Sequence, residues 1–165
     1  MKENIILTKE QIHQITKRIA YQIYETFIEE TEVVITGIAN SGYVFAQKIT
    51  DEVEKISDLK VTLGRMEINK QDPLQEIRTN LQKEAYENKA IVLVDDVMNS
   101  GATLIYGVKY FLDVPVKKFK TAVLIDRNHK KFPVKADFKG ISLSTSSLEH
   151  IQVVFNGAEE YAFLK

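Results

Sequence analysis

The chain of 165 residues has no cysteine and no tryptophan, only three prolines, seven glycines and three histidines, and no long apolar run. Without cysteine, neither a disulfide nor a thiolate metal site can carry stability or chemistry, which fits a reducing compartment. His13, His129 and His150 lie far apart and lack ligand spacing, so a structural zinc site is excluded. Nothing approaches the roughly 20 apolar residues of a membrane span. The opening "MKENIILTKE" is too polar for a signal peptide, so a cytoplasmic protein with no membrane partner is expected. The prolines are scattered, and there is no repeat, low-complexity tract or linker. One domain over residues 1–165 is the expectation.

A formal net charge of −1 argues against a surface devoted wholly to nucleic acid. The distribution is uneven: Lys117, Lys118, Lys120, Arg127, Lys130, Lys131, Lys135 and Lys139 stand against only Asp126 and Asp137 in the stretch 117–139. That segment is either a docking place for a polyanion or a solvated basic loop.

"TKEQIHQITKRIAYQIYETF" begins with Thr8 and Gln11 at capping-box spacing and places Ile12, Ile15, Ile19, Ile23 and Phe27 on one face. It predicts an amphipathic helix ending near Glu30. "EVVITGI" (32–38) reads as a strand, "ANSG" as a turn, and Val44, Phe45, Ile49, Val53 and Ile56 as the apolar stripe of a second helix. "KVTLGRMEI" (60–68) is another strand, followed by a polar tract from Asn69 to Lys89 with few apolar anchors, a composition typical of a functional loop. "AIVLV" (90–94) predicts a strand buried on both faces, with a helix behind it from Ala102 to Leu112, and "FKTAVLI" (119–125) a further strand. The tail offers one more strand and two aromatics, Tyr161 and Phe163, read as packing residues. Strands alternating with helices predict an α/β fold, a mostly parallel sheet flanked by helices.

The chemistry concentrates in "IVLVDDVMNSGATL" (91–104), where an apolar strand runs into two carboxylates. In an open α/β sheet, ligands sit beyond the C-terminal strand ends, where Asp95 and Asp96 fall. Asn99, Ser100, Gly101, Ala102 and Thr103 then supply small side chains, hydroxyls and backbone N–H groups at a helix start, which favours a phosphate. Carboxylates can accept from vicinal hydroxyls or hold a hydrated Mg²⁺. Together these suit a polyol phosphate. Alone, the same residues would also suit a solvated acidic pair before an ordinary helix cap. "GIANSGYV" has P-loop glycine spacing, but Tyr43 and Val44 stand where Lys and Ser/Thr are required. No G-x-G-x-x-G follows any strand, so a dinucleotide site is excluded as well.

"IVLVDDVMNSGATL" resembles the phosphoribosyl diphosphate signature of the type I phosphoribosyltransferases. "ILTKEQIHQITKRIAYQIYE", "GIANSGYVFAQKITDEVEKI", "VTLGRMEI" and "TAVLIDRNHKKFPVKADFKGISLSTSS" are similar, in order, to the branch of pyrimidine operon attenuation regulators with uracil phosphoribosyltransferase activity, over about residues 5–155. The resemblance implies transfer of ribose 5-phosphate from phosphoribosyl diphosphate to a nucleobase, with Mg²⁺ as cofactor and a homodimer as assembly. Asp95 and Asp96 would hold the ribose hydroxyls, directly or through Mg²⁺, and Asn99 to Thr103 the 5′-phosphate. Ala39, Asn40, Ser41 and Gly42 would contact pyrophosphate, with a cis peptide at Ala39-Asn40. The tract after Glu67 would be a small hood closing over the base. Phe138 would stack on that base and the backbone of Lys139 would pair with its edge. Lys120 would reach an oxo group, which excludes adenine; by itself that lysine points to the 6-oxopurines, as in some purine-transferring relatives, whereas the similarity along the whole chain favours uracil.

Several positions depart from the pattern. The pyrophosphate loop reads Asn40-Ser41 where the branch has a basic residue, and the hood reads Lys70-Gln71-Asp72-Pro73 where it has a Tyr-Arg-Asp cluster. Lys70, Arg78 and Lys83 are the candidate replacements. Asn156 stands where many relatives place an Asp that helps a second Mg²⁺. Lys17 and Tyr21 replace a Thr and a His of the branch's RNA-facing surface, which counts against RNA as a partner. The alternative to the enzyme is an RNA-binding regulator that senses phosphoribosyl diphosphate or a nucleotide, with weak or no catalysis.

Overall fold

The computed structural model describes residues 4–165. After strand β1 (Asn4–Leu7), Thr8 caps helix α1 (Lys9–Thr26), accepting from the Gln11 backbone N–H while the Gln11 side chain accepts from the Thr8 N–H. This is the capping box expected from the spacing. Ile12, Ile15, Ile19 and Ile23 are buried along one face of α1, with Phe27 closing its end.

Strand β2 (Glu32–Ile38), helix α2 (Ser41–Ile56) and strand β3 (Lys60–Glu67) follow as their apolar periods predict. The polar tract is less featureless than expected, since it contains strand β4 (Arg78–Thr79) and a short helix α3 (Lys83–Tyr86). Then come strand β5 (Ala90–Met98), helix α4 (Ala102–Phe111), strand β6 (Lys118–Asp126), strand β7 (Phe138–Ser142), strand β8 (Ile151–Phe155) and strand β9 (Glu160–Leu164).

The main sheet has six strands in the order β4-β3-β2-β5-β6-β7, parallel except for the antiparallel β3–β4 hairpin. Strands β1, β9 and β8 make a separate antiparallel sheet, so the tail holds two strands rather than one. One core cluster joins Ile12, Ile19, Phe45, Ile49, Val92, Val94 and Leu124 beneath α1 and α2. The other joins Val34, Met66, Ile91, Leu93, Leu104 and Phe111 beneath α4. Each fully buried side chain of this size contributes about 1.5–3 kcal/mol. With apolar residues on both faces, β5 is the sheet's central beam.

Strand β5 outruns its expected end at Val94. It continues through both acids to Met98, because β6 goes on pairing with it up to Met98 against Asp126 while β2 stops at Gly37 against Val94. The acids therefore stand on a strand that is held on one side and open on the other. Among the described residues, no helix is long and apolar enough to cross a membrane.

Candidate functional site

In a regular strand neighbouring side chains point to opposite faces. Asp95 and Asp96 nevertheless converge on one group, the Lys70 ammonium, which lies 3.0 Å from Asp95 Oδ1 and 3.4 Å from Asp96 Oδ1. The register of β5 with β6 runs unbroken through Asp95, Val97 and Met98, and Asp95 and Val97 line the same cavity, so it is the long Lys70 side chain that reaches round the strand end to both carboxylates.

The first turn of α2 closes on the same place. A Cβ added at Gly42 would come within 2.9 Å of both the Cα and Oδ1 of Asp95, so only glycine lets the helix start this close to the acid. The turn before α2 carries a cis peptide at Ala39-Asn40 and is anchored by the Ala39 N–H donating to the Met66 carbonyl at 2.8 Å. Asn40 makes no side-chain cap, so the free N–H groups at the start of α2 are left for a ligand.

On the other side, Gly101 at the start of α4 is left-handed, with φ 85°, and a Cβ there would meet Val134 Cγ1 at 2.5 Å. Its neighbour Ser100 is pinned, its carbonyl accepting from Lys131 and Phe132 and its hydroxyl from the Ala102 N–H. Asn99 Oδ1 accepts from Arg127 at 2.8 Å. Asn99, Ser100, Gly101, Ala102 and Thr103 wrap a cavity of about 130 Å³ whose other walls are Asp95, Lys70 and the apolar Val97 and Val123. A second, open cavity of about 520 Å³ lies over Ala39 and Asn40 and is lined by Arg65, Glu67 and Arg78.

Electrostatics set this place apart. Asp95 is 3% exposed. Burial first, and then the negative charge of Asp96, push its carboxyl up to about 8 against the pull of Lys70. Burial lowers the Lys70 ammonium, but the two carboxylates outweigh it and hold it above its ordinary value. Among the described residues no group of three or more His, Cys, Asp or Glu could hold a metal. Two carboxylates do suit Mg²⁺, which keeps several waters and takes the rest of its oxygens from a substrate.

The two acids, the 99–103 turn and the 39–42 turn are thus brought to one edge of the sheet. Phe138, Lys139 and Lys120, expected around a base, are not. Phe138 is 6% exposed and packs in the cluster beneath α1. The Lys139 backbone is taken up by β7 pairing, and its carbonyl accepts from Arg18 at 3.1 Å; its ammonium turns to Asp126 at 3.8 Å. Lys120 pairs in register with Val92, toward the N-terminal end of β6 and away from the acids.

Of the candidate cations, Lys70 is on the acids rather than beside the 39–42 turn. Arg78 lines the second cavity, bound to Glu76 at 2.9 Å, and Lys83 is exposed outside both cavities. Arg65 was missed: its guanidinium donates to Asn40 Oδ1 at 3.1 Å and lies 5.3 Å from the centre of the Tyr43 ring. Its place near the end of a strand adjoining β2 was the available signal. Asn156 closes the β8–β9 turn with Glu159. The basic stretch 117–139 is no single patch, since Arg127 is buried and Lys117 is paired with Glu30.

Residues 4–158 match the model of the phosphoribosyl transferase domain. The chain is 32% identical to the bifunctional protein PyrR of Macrococcus caseolyticus, over 97% of this chain and 96% of that one. It is 28% identical to the bifunctional protein PyrR of Staphylococcus saprophyticus, over 97% and 96%. Among solved structures, a hypoxanthine-guanine phosphoribosyltransferase of Bacillus anthracis superposes with a TM-score of 0.78 at 20% identity, covering 99% of this chain and 97% of its own. The hypoxanthine phosphoribosyltransferase of Trypanosoma cruzi does so with a TM-score of 0.79 at 16% identity, covering 99% and 95%.

Proposed function

The chain belongs to the phosphoribosyl transferase family, and from that premise we propose that it transfers ribose 5-phosphate from phosphoribosyl diphosphate to uracil, releasing pyrophosphate, as a cytoplasmic homodimer. The observation that carries the reading is that Asp95 and the 99–103 turn line one cavity of about 130 Å³, at whose wall Lys70 also reaches Asp96. In this reading the backbone from Asn99 to Thr103 cradles the 5′-phosphate at the start of α4, where the helix dipole favours an anion. Asp95 and Asp96 accept from the ribose hydroxyls. The 39–42 turn, with Arg65 and Arg78 beyond it, receives the pyrophosphate.

The bond from the anomeric carbon to pyrophosphate breaks as the bond from a ring nitrogen of the base forms, and the base gives up its proton. Positive charge grows at the sugar and negative charge on the leaving group. Fixed carboxylates below the sugar and fixed N–H and guanidinium donors above the pyrophosphate stabilise that separation without reorganising. Mg²⁺, when bound by Asp95 and Asp96 with the diphosphate, would neutralise charge on the leaving group. The segment between β3 and β5 closes over the sugar and keeps water from it.

Uracil is preferred because the one residue that pointed to 6-oxopurines, Lys120, lies away from the acids. A second activity is favoured by one finding, that the relatives are described as bifunctional proteins; the RNA-binding regulator expected as the alternative is the candidate for it. Incubation with phosphoribosyl diphosphate, Mg²⁺ and uracil, guanine, hypoxanthine or adenine should release pyrophosphate fastest with uracil; no release with any base would refute the transfer. Filter binding with pyrimidine leader RNA decides the second activity, and sedimentation velocity the dimer.

A further inference from the structure

The acid pair carries its own cation. Asp95 and Asp96 are adjacent, and Asp95 is almost wholly buried; two carboxylates so placed repel one another and have lost most of their water. Among the described residues, Lys70 is the one cation in contact with either. It takes Oδ1 of both, oxygens that a sugar or a metal ion would also need.

Lys70 is also built to leave. It belongs to none of the strands or helices. It projects from a turn of residues 69–72 that closes on itself, with the Asn69 side chain accepting from the backbone N–H of Gln71 at 3.0 Å and of Asp72 at 3.3 Å. The turn is tied onward to Gln75 through the Asn69 amide at 3.1 Å. The Lys70 side chain is 44% exposed, so water can take up the ammonium when it lets go. Lys70 lines the cavity over the acids and its neighbour Asn69 the cavity over the 39–42 turn, which puts this turn on the partition between the two.

We propose that Lys70 is a resident counter-ion of Asp95 and Asp96, a positioning residue that keeps free divalent cations off the pair and yields only to a cation arriving together with the diphosphate. The inference rests on the phosphoribosyl-transfer reading for its purpose but not for its test. An ammonium and a divalent ion cannot share the same carboxylate oxygens, so the metal alone must displace Lys70 without compensation. With the diphosphate, the released ammonium meets new negative charge. Metal and diphosphate therefore bind with positive coupling, and by thermodynamic reciprocity each raises the affinity for the other by the same factor.

The test is Mn²⁺ binding at pH 8.5, where the Asp95 carboxyl is ionised, followed by the electron paramagnetic resonance signal of the free ion, with and without phosphoribosyl diphosphate. Lys70→Met keeps length and removes charge; Lys70→Arg keeps charge. Without diphosphate, Lys70→Met should bind Mn²⁺ about tenfold more tightly than wild type, as removal of one competing charge predicts, and Lys70→Arg should bind as wild type does. The gain from adding diphosphate should shrink in Lys70→Met. Adding Asp95→Asn and Asp96→Asn to Lys70→Met should abolish the tight site, which places it on the acids. Mn²⁺ binding to Lys70→Met no tighter than to wild type, or tight binding that survives loss of both acids, overturns the proposal. Absence of pyrophosphate release in every variant would refute the transfer reading and leave this titration decisive.

Discussion

Asp95 is asked to be both buried and charged, and its titration exposes the conflict. Its carboxyl stands at about 8 in the folded protein and near the usual ~3.9 when unfolded. Between those values the folded state holds a proton that the unfolded state has lost, so this group makes stability fall as pH rises from about 4 to 8. The melting temperature of the ligand-free protein should therefore drop across about pH 5 to 8, and Asp95→Asn should flatten that slope. A wild-type profile no steeper than the variant's would show that Asp95 is ionised throughout. Phe138 carries a second prediction at this scale. It is buried beneath α1, so Phe138→Ala should cost ~3–5 kcal/mol of stability while sparing the KM for the base in whatever protein remains folded; a raised KM at unchanged melting temperature would return Phe138 to the pocket. The sequence marked the acids and the small turn because their residue types are chemically specific. It misled at Phe138, Lys139 and Lys120 because an aromatic or a lysine near a strand carries no mark of which face, or which end of the strand, it occupies. Parallel register decides both, and register is a property of the sheet.

Elements were legible where hydrophobic period and caps agreed. Helix α1 carries both, from the Thr8 box to the isoleucine face. Strand β5 reads as ending at Val94 because Asp is depleted in strands, whereas its pairing with β6 overrides that local preference as far as Met98. The short β4 and α3 have too few residues for any period to show. The segment carrying them should still be the least protected part of the free protein, since most of its side chains from Asn69 to Glu84 are exposed. Hydrogen exchange there should be fast and should slow when diphosphate and Mg²⁺ are added; slow exchange without ligand would count against a closing hood. A different element should not move at all. Arg127 is buried, and its guanidinium donates to Asn99 Oδ1 at 2.8 Å, to Thr145 Oγ1 at 2.8 and 3.0 Å, and to the carbonyls of Ser146 and Glu149 at 3.2 and 2.6 Å. It struts the 99–103 turn against the segment between β7 and β8. Arg127→Met would leave the half-buried Thr145 hydroxyl and Glu149 carbonyl without this donor, at up to about 1–3 kcal/mol each, hand the exposed Asn99 and Ser146 oxygens to water, and let Asn99 swing. The KM for phosphoribosyl diphosphate should then rise far more than kcat falls; an unchanged KM would make Arg127 a stabiliser of the fold alone.

At the scale of the whole molecule, the sheet converts a local motif into a site. The alternation of apolar strands and helices announced a parallel sheet covered on both sides, which is the arrangement found. What no local pattern announced is the pairing order, which sets β2 beside β5 and so brings the turns after both strands to one edge. The turn before α2 and the turn before α4 come from chain segments some sixty residues apart, and any ligand that spans them ties the two halves of the sheet together. Such a ligand binds the folded state and not the unfolded chain, so at a hundred times its Kd it should add about 2.7 kcal/mol to stability. For a chain of this size each kcal/mol is about 2–4 °C in Tm, giving a rise of roughly 5–10 °C with phosphoribosyl diphosphate and Mg²⁺. Asp95→Asn with Asp96→Asn should fold and lose most of that rise. Gly101→Val, strained at a left-handed position and driven against Val134, should start from a lower Tm and also lose it. Ribose 5-phosphate, which has no pyrophosphate to bridge to the 39–42 turn, should give a smaller rise in the wild type than the diphosphate at the same concentration. Equal shifts from the two ligands, or a full shift retained by the double asparagine variant, would mean that the acids and the two turns do not act as one site.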